Sequence, residues 1–98
     1  MEQFNEQLAV KVDGYIEALL NPPDAALLHN LKDAESSGLP AINVSPNEGK
    51  LLYLVTKIAG AKRVLEIGTL GGYSTTWLAR ALPADGQVIT LECEVGQP

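Results

Sequence analysis

A chain of 98 residues holds one domain at most, and a 46% hydrophobic share with interspersed charges excludes a disordered or fibrous segment. A net charge of −5 argues against a nucleic-acid backbone as the main partner, which would demand a basic face. No apolar run approaches the roughly 18 residues of a membrane span, and one cysteine, Cys93, excludes a disulfide framework or a multi-cysteine zinc site.

The opening MEQFNEQL lacks a basic stretch leading into an apolar core, so no secretory signal is expected. With the lone cysteine, this predicts a reducing, cytoplasmic setting. From Gln3 to Leu20, the residues Leu8, Val12, Ile16, Leu19 and Leu20 recur at helical spacing. Asn21-Pro22-Pro23 stops that helix, because proline lacks the interior donor. A second helix is predicted from Asp24 to about Glu35, with Leu27, Leu28 and Leu31 on one face, and Gly38 supplies a left-handed cap. Ser45-Pro46-Asn47-Glu48 reads as a helix start with a capping box. That third helix is expected to turn Leu51, Leu52, Leu54, Val55 and Ile58 inward and to stop near Gly60.

Arg63–Ile67 reads as a strand, Ser74–Leu82 as a helix, Pro83–Gly86 as a turn and Gln87–Leu91 as a second strand. Strand, helix and strand within roughly thirty residues make a βαβ unit with parallel strands and a right-handed crossover. The fold class is therefore α/β. Residues 1–41 form a helical segment, and residues 42–98 carry the βαβ portion.

The chemistry concentrates in EIGTLGGYS, Glu66 to Ser74. Gly68, Gly71 and Gly72 allow positive φ and close approach of a ligand to the backbone. The helix that follows turns its first N–H groups toward the space above the strand. Glu66 near the end of the first strand and Glu92 just past the second would share one rim of the sheet, where open α/β sheets bind ligands. An acid at the second strand end, about twenty residues after a glycine corner, suits the hydroxyls of a ribose. The spacing is not G-x-G-x-x-G, and GTLGGYST lacks the P-loop lysine. A nicotinamide dehydrogenase is thereby disfavoured, and a nucleoside-type site or a non-catalytic binding or dimerisation module remains.

VLEIGTLGGYST, with INVSPNEGKLL before it and GQVITLE after it, resembles the S-adenosylmethionine-dependent O-methyltransferases of the catechol and caffeoyl-CoA type. The three blocks lie in the family's order between Ile42 and Glu92. The resemblance implies the N-terminal part of a Rossmann-like methyltransferase fold, and transfer of a methyl group to a phenol- or catechol-like hydroxyl. It implies that Val44 lies against the cofactor through its backbone, that Glu66 faces the methionine end, and that Gly68 and Gly72 belong to the glycine corner beneath it. Tyr73 and Ser74 would contact the amino and carboxylate groups, and Glu92 would bind the ribose. The family's divalent cation, Mg, and its catalytic lysine belong to sequence beyond the second strand, so no metal ligand or catalytic residue is assigned here. A homodimer or self-association is also implied. Trp77 is expected in the core and His29 in solvent, and nothing places a base to activate Cys93.

Overall fold

The computed structural model describes residues 5–39, 42 and 44–93. Four helices precede and interleave a two-stranded sheet, in the order α1 (Glu6–Leu20), α2 (Ala25–Ser36), α3 (Pro46–Ile58), β1 (Arg63–Ile67), α4 (Tyr73–Arg80) and β2 (Gln87–Leu91). The predicted βαβ unit is present. β1 and β2 pair in parallel, with Val64 opposite Val88 and Glu66 opposite Thr90.

Local chemistry accounts for most boundaries. Asn5 caps α1 by accepting the Leu8 N–H at 3.1 Å, and the expected start at Gln3 lies outside the described residues. Asp24 caps α2 in the same way through Leu27, at 3.0 Å. Gly38 follows α2 with φ 74°, and the Leu39 N–H closes back on the Ala34 carbonyl. Both halves of the α3 capping box form: Glu48 N–H donates to Ser45 Oγ at 3.2 Å, and Ser45 N–H to Glu48 Oε1 at 3.0 Å. The Ser45 backbone N–H first, and the Ser45 hydroxyl second, hold the Glu48 carboxyl below its ordinary pKa. Helix α4 ends at Arg80, two residues before the expected Leu82. Its last turn tightens, with Leu82 N–H donating to Ala79 O, ahead of Pro83.

The core is small and sits where α4 meets α2 and α3. Leu27, Tyr73 and Trp77 form its centre, with Leu31, Val44 and Tyr53 packed around them. Tyr53 meets Trp77 edge-on, ring centroids 6.4 Å apart. One expectation for α3 is corrected. Leu51, Leu54, Val55 and Ile58 are exposed, Ile58 at 85%, whereas Gly49 and Thr56 are buried. The docking stripe is Gly49, Leu52, Tyr53 and Thr56, because the Trp77 indole lies where any side chain at position 49 would go. Thr56 is tolerated there because its hydroxyl donates to the Leu52 carbonyl at 2.7 Å.

Helix α1 docks through polar groups. Asn21 Nδ2 donates to Pro46 O at 2.9 Å, and Asn47 Nδ2 donates to Asp13 O at 2.9 Å. Its stripe of Leu8, Val12, Ile16, Leu19 and Leu20 is exposed. Leu65, Ile67, Ile89 and Leu91 are exposed as well, on the sheet face opposite the half-buried Val64, Glu66, Val88 and Thr90.

Arg80, at the end of α4, reaches the N-cap of α2. Its guanidinium donates to Asp24 Oδ2 at 2.6 Å and to Oδ1 at 3.0 Å. The Arg80 bond first, and the Leu27 N–H second, lower the Asp24 pKa from 3.8 to about 2. A depressed folded-state pKa adds stability above the unfolded value, and that stability is lost as pH falls from about 3.8 toward about 2. The pair is solvent-exposed, so Arg80→Met should cost below about 1 kcal/mol at neutral pH. The same variant should unfold at a higher pH during acid titration followed by circular dichroism. Superimposable acid curves for the two chains would contradict this role.

Candidate functional site

The corner between β1 and α4 is assembled from several segments. Gly68, at φ 95°, donates its N–H to Leu91 O at 2.7 Å and extends the sheet ladder one step past β1. Gly72, at φ 85°, is the N-cap of α4, which starts without a side-chain cap. Gly71 is required for closeness: a Cβ there would lie 2.9 Å from the Ala34 Cβ of α2. Asn30, also on α2, donates through Nδ2 to Gly71 O at 2.7 Å. Helix α2 thus braces the glycine corner from behind.

Two acids stand on the carboxyl rim of the sheet. The Glu66 carboxylate accepts the Ser74 hydroxyl on Oε2 at 2.5 Å and the Thr90 hydroxyl on Oε1 at 2.9 Å. The Thr75 hydroxyl also donates to Oε1. Glu92 lies two positions past the register partner of Glu66 and opposite Gly68. Its Oε1 accepts the Leu70 N–H at 2.7 Å, and its Oε2 accepts the Cys93 N–H at 3.1 Å. Leu70 holds the left-handed conformation, φ 51°, a costly one for a side chain with a Cβ. The bond to Glu92 helps to hold it there.

The expected site residues therefore divide by how they can act. Glu66 and Ser74 touch each other, and Glu92 is tied to the corner through Leu70. Gly68 and Gly72 present backbone at positive φ. Tyr73 is 3% exposed, with its side chain in the core beside Leu27 and Trp77, so a ligand contact there falls to its backbone. Val44 packs against the same cluster. Thr69, Thr75, Thr90 and Asn30 join the site without having been predicted. Thr90 could have been found from register, since the pairing of the two strands sets it opposite Glu66. A depression of about 570 Å³ is lined by Asn30, Gly72, Thr75, Thr76, Ala79 and Arg80, and neither acid lines it. Among the described residues, no group of three or more histidine, cysteine, aspartate or glutamate side chains could hold a metal ion.

A parallel βαβ unit, a glycine corner and acids on the carboxyl rim define an open α/β domain of the nucleotide-binding type. Comparison with known proteins narrows that class. A family model described as O-methyltransferase matches residues 20–97, and the chain belongs to this family. It is 52% identical to a catechol O-methyltransferase of Niastella koreensis over 91% of this chain and 40% of the relative. It is 47% identical to a catechol O-methyltransferase of Mycobacterium tuberculosis over 83% of this chain and 37% of the relative. Among solved structures, an O-methyltransferase from Bacillus cereus in complex with SAH superposes with a TM-score of 0.84 and 49% identity, covering 87% of this chain and 39% of that one. The fold matches the N-terminal part of a Rossmann-like methyltransferase. The chain spans about 40% of the length of these relatives.

Proposed function

We propose that these residues supply the cofactor half-site of an S-adenosylmethionine-dependent O-methyltransferase acting on a small-molecule hydroxyl, phenol- or catechol-like. What carries the reading is the pair of rim acids flanking a glycine corner in a chain of this family. The donor set suits the cofactor. When bound, it supplies a methyl group made electrophilic by a sulfonium centre. Glu66 offers a carboxylate to an ammonium, and Glu92 offers one to the diol of a ribose. The first N–H groups of α4 suit a carboxylate, and Gly68 lets the ligand lie close to the backbone.

The Ser74 hydroxyl donates to Glu66, so its proton is committed. Toward a bound amino acid moiety the hydroxyl then acts as an acceptor for the ammonium, while the Ser74 N–H faces the carboxylate. Held at two ends, the cofactor would present its methyl group in one orientation, and positioning of this kind is a large part of a displacement reaction. No donor set among the described residues fits the divalent cation that the resemblance implies. The exposed apolar faces of α1, α3 and the sheet favour self-association or a homodimer. A cytoplasmic location accords with the single exposed Cys93. No helix among the described residues is long and apolar enough to cross a membrane.

Titration calorimetry of the full-length protein with S-adenosylhomocysteine and with NAD tests the reading. Binding of the first with none of the second is expected. The reverse pattern would overturn it.

A further inference from the structure

We propose that Thr90 is a positioning residue for the methionine end of the cofactor: it orients the Glu66 carboxylate, with Thr69 fixing the direction of its own hydroxyl bond. This rests on the cofactor reading given above. A hydroxyl carries one proton and can accept two more bonds, whereas an ionised carboxylate only accepts. Thr90 Oγ1 lies 2.9 Å from Glu66 Oε1 and 2.6 Å from Thr69 Oγ1. Since Thr90 must donate to Glu66, Thr69 must be the donor to Thr90. The chain of bonds therefore runs one way, from Thr69 to Thr90 to Glu66.

Thr69 is 8% exposed and lies in the glycine corner, so its hydroxyl is held by burial as well as by bonding. Thr75 donates to the same oxygen of Glu66, which fills Oε1. Ser74 takes one position on Oε2. A carboxylate offers about four acceptor positions, so the three hydroxyls leave one, on Oε2, the oxygen shared with Ser74. An incoming N–H donor is thereby directed to Oε2, within reach of Ser74 Oγ, and both oxygens can accept from one ammonium. Without Thr90, the Oε1 side loses its bond from β2, and only the two hydroxyls of α4 restrain the carboxylate's last torsion. That torsion is broad and only loosely two-fold in an unrestrained side chain.

A general structural role for Thr90 and this positioning role differ in which ligands they affect. S-adenosylhomocysteine carries the amino acid moiety, whereas 5′-methylthioadenosine carries the adenosine and the thioether without it. In the full-length protein, Thr90→Val should weaken S-adenosylhomocysteine about 5- to 10-fold, the scale of one ordinary hydrogen bond, because Thr90 acts on the ligand only through Glu66. Binding of 5′-methylthioadenosine should stay within about twofold. Thr90→Ser keeps the hydroxyl and should restore wild-type affinity for both ligands. Should Thr90→Val fold poorly, Thr75→Ala removes the other bond to Oε1 from outside the sheet and should show the same selective loss. Equal losses for both ligands, or no loss for either, would overturn the positioning role and leave the cofactor reading intact. A wild-type protein that binds neither ligand would overturn the cofactor reading itself.

Discussion

Gly49→Ala is expected to destabilise the fold, although it replaces a helix-interior glycine with the best helix former. Propensity alone favours alanine by about 1 kcal/mol. Against this, an alanine Cβ at position 49 would lie 2.3 Å from both Cδ1 and Nε1 of Trp77. The indole has nowhere to go. It is 5% exposed and wedged among Leu27, Tyr73 and Tyr53 in the only hydrophobic cluster the described residues form. Overpacking of this kind costs typically about 1–3 kcal/mol, and a contact this short belongs at the upper end. The net loss should be about 2 kcal/mol, a large share of the stability of a small domain. Thermal or urea unfolding of the two chains measures it, and a variant as stable as the parent would show that α3 and α4 do not pack through Gly49 and Trp77.

Glu92→Ala in the full-length protein should weaken S-adenosylhomocysteine by about 1–3 kcal/mol, roughly 5- to 150-fold, as a ribose diol loses a charged acceptor. The same change releases the Leu70 N–H, so some stability is lost as well. Glu92→Gln separates the two effects. Its amide oxygen can still accept from Leu70, which should restore the melting temperature, while the charge and one acceptor toward the diol are gone. An unchanged dissociation constant for Glu92→Ala by calorimetry would exclude the ribose role.

Much of the fold was legible residue by residue. The ends of α2, α3 and the two strands follow from capping and breaking residues, Asp24, Ser45-Pro46-Glu48, Gly38 and Gly60, whose effects act within one turn of the backbone. The βαβ order also follows from chain order and short connections. What misled was amphipathicity in α3. Leucines at 51 and 54 with Val55 and Ile58 read as an inward face, yet the side of α3 that meets α4 is set by a glycine and a threonine. A hydrophobicity pattern records which residues prefer burial and says nothing about where a neighbouring indole needs space.

The site divides along the same line. Glu66, Gly68, Gly72, Ser74 and Glu92 could be picked out from linear spacing, because the corner and its strand ends are contiguous or a fixed distance along one βαβ unit. The hydroxyls of Thr69, Thr75 and Thr90 around Glu66, the Leu70 bond to Glu92 and the Asn30 brace from α2 could not. Apart from the Thr75 bond, which reaches back nine positions from α4 to β1, these join residues 21 to 41 positions apart. The sequence by itself determined the elements, the corner and the identity of the acids, since short-range backbone sterics and chain order act locally. Only the tertiary structure decided that Tyr73 turns into the core, that α3 docks through Gly49, and that Glu66 is aimed by three hydroxyls. Packing and hydrogen-bond direction arise when separate segments compete for the same space.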